Sequence, residues 1–222
     1  MAALKLKVSV KFIEPILGTT SGNPDIFTDH MSKNCPEDKK AEEAGVIGKL
    51  SQDIDDGIVD EAEMKKKTTY FPRIDNKLFM YDYQIKGFFK DAGQALIAAG
   101  IYTKEELKKI RCTQYLIKKT IDQLVFITDR RVFFADYTPD DITYIERPLR
   151  AETMRGERIA LARSEAIPDG ATMEFDILLL NKNLEKFIKQ CLDYGKLRGF
   201  GQWRNSGCGR FTYKCSVIAE TA

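Results

Sequence analysis

The segment from Gly199 to Arg210 gathers residue types that recognise phosphate and bases. Gly199, Gly201, Gly207 and Gly209 sit among Arg198, Arg204 and Arg210, with Phe200 and Trp203 between them. Glycines let a partner's backbone approach closely, and arginines supply paired donors for phosphate oxygens. An aromatic side chain adds a surface on which a base can stack. A second reading is equally physical: a tight link between a helix and a strand, with Trp203 buried in the core. The segment is not a dinucleotide fingerprint. Arg204 stands where G-x-G-x-x-G needs its third glycine, and a helix rather than a strand precedes it.

Upstream, Arg147, Arg150, Arg155, Arg158 and Arg163 are spaced too irregularly for one helix face. Such a run can track a phosphate backbone. It can equally be a solvated loop with Glu146, Glu152, Glu157 and Glu165 as local partners. Catalytic signals are sparse. His30 is the only histidine, which excludes any mechanism that needs two imidazoles. Asp25 and Asp29 lie in a loop and are the candidates for touching a metal or a scissile phosphate. Asp53, Asp55 and Asp56 suggest a calcium loop, but its twelve-residue pattern is not completed. No P-loop, G-x-S-x-G or H-E-x-x-H motif is present. The residues therefore assign no metal and no cofactor.

The elements that must position these residues follow from periodicity. The chain has 222 residues, 43% hydrophobic and 31% charged, enough for one domain with a real core. Residues 4–13 alternate, with Leu4, Leu6, Val8, Val10 and Phe12 on one face of a strand and lysines on the other. Residues 30–67 are rich in charge and poor in large apolar residues, and read as an insertion. Residues 1–67 hold 10 basic and 13 acidic side chains, so the basic excess of this chain of net charge +2 is C-terminal. A hairpin is expected around Ile74–Lys77, with Asp75-Asn76 as its turn. Next comes a helix with Ile85, Phe88, Phe89, Ala92, Leu96 and Ile97 inward and Gly100 as its stop. Thr103 and Glu106 have capping-box spacing. Residues 113–135 read as strand-like stretches, 173–179 as a strand, and 184–194 as an amphipathic helix. The resulting order fits an α+β protein with a ferredoxin-like core and grown loops.

Five widely spaced cysteines without a C-x-x-C pair point to reduced thiols rather than a disulfide framework. The alternating N-terminus lacks the apolar run of a signal peptide, and no segment reaches the roughly 18 apolar residues of a membrane helix. A cytoplasmic protein without a membrane partner is the expectation.

Four segments, in order, resemble the RAMP superfamily of CRISPR-associated proteins. The opening strand followed by Pro15-Ile-Leu-Gly18 is similar to the family's first strand and its glycine. Gln84 to Lys90 resembles the L-K-G-x-x-R helix start, with Lys90 in place of the arginine. Arg163 to Phe175, with Glu165, Pro168 and Gly170, resembles the family's entry to a late strand. Gly199 to Arg210 is similar to its glycine-rich loop. The match leaves out roughly residues 30–67 and 103–140. The nearest likeness is to backbone subunits that line guide RNA; the compact middle also suits a stand-alone or virus-encoded relative.

The resemblance implies a single ferredoxin-like, RNA-recognition-motif-like domain that binds single-stranded nucleic acid, RNA before DNA, in antiviral defence. Its partners would be that strand and copies of itself or other subunits of a complex. On this expectation Lys86 and the arginines at 147, 150, 155, 158, 163, 198, 204 and 210 meet phosphates. The glycine loop admits the backbone, and Trp203 or Phe200 stacks a base. Two other readings stay open: a metal-dependent ribonuclease using Asp25 or Asp29, and an assembly protein that reuses the fold without nucleic acid.

Overall fold

The computed structural model describes residues 3–21, 67–113, 115–153 and 156–221. The expected insertion at 30–67, His30, Asp25, Asp29 and Arg155 all lie outside the described residues, apart from Lys67 at the insertion's end. Strands β1 (Ala3–Phe12), β2 (Ile16–Leu17) and β3 (Thr20–Ser21) open the chain, followed by β4 (Lys67–Tyr70), β5 (Arg73–Ile74) and β6 (Lys77–Tyr81). Helices α1 (Asp82–Ala98), α2 (Lys104–Lys109) and α3 (Ile117–Leu124) come next. Then β7 (Val125–Ile127), β8 (Arg131–Ala135), β9 (Thr143–Thr153), β10 (Gly156–Ile167) and β11 (Thr172–Leu179) precede α4 (Leu184–Arg198) and β12 (Phe211–Thr221). The chain is α+β, with a mostly antiparallel main sheet.

That sheet runs β12-β1-β11-β8-β6-β5, with β7 also pairing β11. β1 lies between β11 and β12, antiparallel to both. Its alternation places Leu4, Leu6, Val8, Val10 and Phe12 in the core. On the opposite face Lys5 reaches Asp176 at 2.8 Å and Lys7 reaches Glu174 at 3.0 Å, cross-strand ion pairs between β1 and β11. Helices α1 and α4 join the same core through Ile85, Phe88, Phe89, Phe187, Ile188 and Leu192. The β5–β6 hairpin forms where expected: Asp75 and Asn76 have φ of 49° and 58°, as a type I′ turn requires. The Thr103–Glu106 capping box also forms, both halves being made.

Two expectations are corrected. The strand-like reading of 113–135 fails at Ile117–Leu124, which is helical. Ile117, Thr120 and Ile121 fall at i, i+3 and i+4, and all three are buried. Packing there overrides the strand preference of β-branched residues. The arginine-rich stretch is neither loop nor helix. β9 and β10 form a long antiparallel hairpin, paired from Thr143–Ala166 to Thr153–Gly156. Among the described residues β9 pairs on one side only, which leaves room for Pro148.

β10 also organises a second sheet, β2-β10-β4-β3. Glu165 is 1% exposed and ties the second sheet together. Its carboxylate accepts the Phe71 backbone N–H at 3.0 Å and the Arg73 Nη2 at 2.8 Å, fastening β10 to the chain before β6.

Candidate nucleic-acid interface

The loop after α4 is built on its glycines and on one aromatic stack. Gly199 (φ 81°) ends the helix, and a Cβ there would sit 2.5 Å from the Cys208 carbonyl oxygen. Gly209 (φ 73°) faces the Phe200 carbonyl so closely that any side chain would collide with it. The Phe200 N–H donates to the Gly209 carbonyl at 2.8 Å, and the Gly209 N–H donates to the Pro15 carbonyl at 2.8 Å. The close approach that these glycines permit is thus made by the chain's own backbone, which clasps the loop to the β1–β2 connection.

Phe200 is corrected as a base-stacking candidate. It is 1% exposed, stacks on Phe211 at 4.6 Å and 16°, and touches Phe88 at 4.4 Å. The reading that buries Trp203 is overturned in turn. Its backbone is left-handed (φ 52°) and the residue is 38% exposed. Anchoring Phe200 inside leaves the short 3-10 turn Arg204–Ser206 to hold Trp203 at the surface.

Around Trp203 an open cleft of about 410 Å³ is lined by Arg147, Arg198, Gly201, Arg204, Gln202 and Asn205. The Arg147 guanidinium lies 5.7 Å from the Trp203 ring centroid, within cation–π range, and donates to Gln202 Oε1 at 2.8 Å. Arg198 donates to Asn205 Oδ1. Asp91 on α1 accepts from Arg204 Nη1 at 2.7 Å and lies 3.8 Å from Arg198 Nε. Two of the cleft's three guanidinium groups, Arg198 and Arg204, therefore share one carboxylate, while Arg147 is held by Gln202. The Cys208 thiol at the loop's base is pushed above its ordinary pKa by burial, so it stays protonated at neutral pH.

Other expected residues stand elsewhere. Lys86 is about 140° around α1 from Asp91, five residues on at 100° each. Its ammonium donates to the Asp122 carbonyl at 2.9 Å and lies 4.6 Å from the Phe126 ring centroid. Arg163 opposes Glu146 in the hairpin register whereas Arg147 opposes Ala162, so the two arginines face opposite sides. Arg163 stacks over Tyr144 at 4.4 Å. Arg210 donates from Nε to the Lys196 carbonyl at 3.1 Å and caps α4. Gly207 (φ 88°) closes the 3-10 turn. Arg150 and Arg158 belong to the hairpin strands, Arg150 opposite Ile159 and Arg158 opposite Ala151.

The sequence reading missed Gln202, Asn205 and Asp91. The first two were legible as amides inside the loop that also holds Arg204. Asp91 carried no signal, because only folding brings α1 to the loop.

No family model and no curated protein matches the sequence. Solved structures do. A chain in the cryo-EM structure of the type III-B Cmr-beta bound to cognate target RNA superposes with a TM-score of 0.53 at 12% identity, over 98% of this chain. At that identity the likeness is one of fold. This chain spans 61% of the length of that Cmr-beta chain. A chain of a type IV-B CRISPR complex matches 97% of the present chain, with a TM-score of 0.46, 10% identity and 92% of the type IV-B chain covered. Among the described residues, no helix is long and apolar enough to cross a membrane.

Proposed function

We propose that this chain is a single RAMP-like domain that binds single-stranded nucleic acid, RNA before DNA, and works with copies of itself or with other subunits of a ribonucleoprotein complex. The observation that carries the reading is the juxtaposition of Arg147, Arg198 and Arg204 around the exposed ring of Trp203. Guanidinium groups pair phosphate oxygens, and an exposed indole stacks a base of any sequence. The strand order β12-β1-β11-β8, with α1 lying between β1 and β8 in the chain and α4 between β11 and β12, supports a ferredoxin-like core. The fold shared with a chain from an RNA-bound type III-B structure supports RNA as ligand.

The test is fluorescence anisotropy with labelled 30-nucleotide RNA and DNA across salt concentrations. A logarithmic salt slope of several units, at roughly 0.7 per phosphate for single strands, is expected for RNA. Trp203→Ala combined with Arg204→Ala should weaken it. Unchanged affinity in that folded double variant would remove the site.

A further inference from the structure

A second basic cleft lies at the opposite end of α4 from Trp203. It encloses about 750 Å³ and draws four cations to its walls: Lys108, Lys109, Arg111 and Lys182. Among the described residues, no carboxylate lines it. Lys108, Lys109 and Arg111 are exposed and make no ion pair among the described residues. Of the two acids of α2, Glu105 makes no ion pair among the described residues, and Glu106 accepts from the Thr103 backbone and hydroxyl and lies 3.6 Å from Lys186. Glu106 is spoken for. Asn181 and Asn183 reach the Lys109 carbonyl with their amide nitrogens at 3.5 and 3.4 Å, drawing the loop before α4 onto the end of α2.

A backbone feature sharpens the case. Arg111 has φ of 54°, in the left-handed region where a helix C-terminus ordinarily takes glycine. The Arg111 N–H donates to the Lys108 carbonyl at 3.0 Å and the Cys112 N–H to the Leu107 carbonyl at 2.9 Å, so the turn is a regular helix stop. Arginine there accepts strain that glycine would avoid, and projects a guanidinium beside the lysines. Leu124 and Leu180 add apolar surface to an otherwise cationic wall, which suits a sugar and base beside their phosphate.

We infer that this cleft holds backbone phosphates of a nucleic-acid strand, as a second contact about 22 Å from the Trp203 loop along the 15 residues of α4. The inference rests on the nucleic-acid reading above. Phosphate chemistry is shared by a free nucleotide and a strand, and the test separates them.

The experiment uses the full chain and labelled 30-nucleotide RNA. The triple variant Lys108→Ala, Lys109→Ala, Arg111→Ala should bind roughly tenfold more weakly at low salt. Its salt slope should shrink by about 2, since three cations at roughly 0.7 each are removed. Arg111→Gly should also weaken binding while the melting temperature holds or rises, a combination that a structural role for Arg111 does not produce. AMP alone should not displace the RNA. If AMP raises the melting temperature of the wild type but not of the triple variant, and the RNA slope is the same in both, the strand assignment is wrong. If the triple variant binds RNA like the wild type while the Trp203/Arg204 double variant does not, the inference falls and the proposed function stands. If the wild type binds no RNA, both fall.

Discussion

Asp91 and Arg204, 113 residues apart in sequence, meet at 2.7 Å across the junction of α1 with the glycine-rich loop. Asp91 also lies 3.8 Å from Arg198. One carboxylate thus occupies two of the three guanidinium groups around Trp203, where a phosphate would compete with it. Asp91→Asn keeps the shape and removes the charge. RNA affinity should rise several-fold. The fold should lose no more than about 1 kcal/mol, because the carboxylate is 38% exposed and the pair is screened. Anisotropy and urea melts read the two effects, and a weaker complex would make the pair purely structural.

The two aromatic residues of the loop should separate stability from binding. Phe200→Ala opens a cavity between Phe88 and Phe211 and should cost about 3–5 kcal/mol. Trp203→Ala should leave stability within about 1 kcal/mol while weakening RNA binding by about 1–3 kcal/mol, the loss typical of one stacked base. Urea denaturation and anisotropy on the same samples decide it.

Glu165 should matter for folding although it touches no expected ligand. Glu165→Ala leaves the buried Phe71 N–H without an acceptor and Arg73 without its carboxylate, a loss of about 2–3 kcal/mol after allowing for the partial exposure of Arg73. A midpoint of urea unfolding equal to that of the wild type would contradict this.

Alkaline pH should weaken the fold through its tyrosines. Burial, with Asp193 nearby, raises Tyr213 from 10.0 to about 12. Burial also raises Tyr102. The folded state holds each proton more tightly than the unfolded chain does. The stabilisation is therefore complete below pH 10 and is lost as pH rises toward about 12. In Tyr213→Phe the fall in melting temperature across that window should be shallower. Parallel curves for the two proteins would refute the assignment.

Residues near one another in the chain announced their structure plainly. β1 follows from strict alternation, the β5–β6 turn from Asp75-Asn76, and the start of α2 from Thr103 and Glu106, because each depends on partners within a few residues. Ile117–Leu124 misled for the opposite reason: its β-branched residues favour a strand until burial beside α1 makes the helix the better home. The basic hairpin was visible as a run of arginines, yet whether Arg147 or Arg163 joins the cleft depends on pairing register, which alternates faces residue by residue.

The same division runs through the site. Residue types alone marked the loop from Gly199 to Arg210 as special, since four glycines beside arginines and aromatics are a local statement. Which aromatic ring goes inward was decided by the tertiary structure: Phe211 and Phe88 offer Phe200 an apolar stack that no neighbour in sequence provides. With Phe200 anchored and Gly209 pressed against its carbonyl, Trp203 is left outside beside Arg147, and Arg204 is turned to Asp91. Sequence sets the chemistry a segment carries. Burial and long-range pairing, which draw on the whole chain at once, decide where that chemistry points.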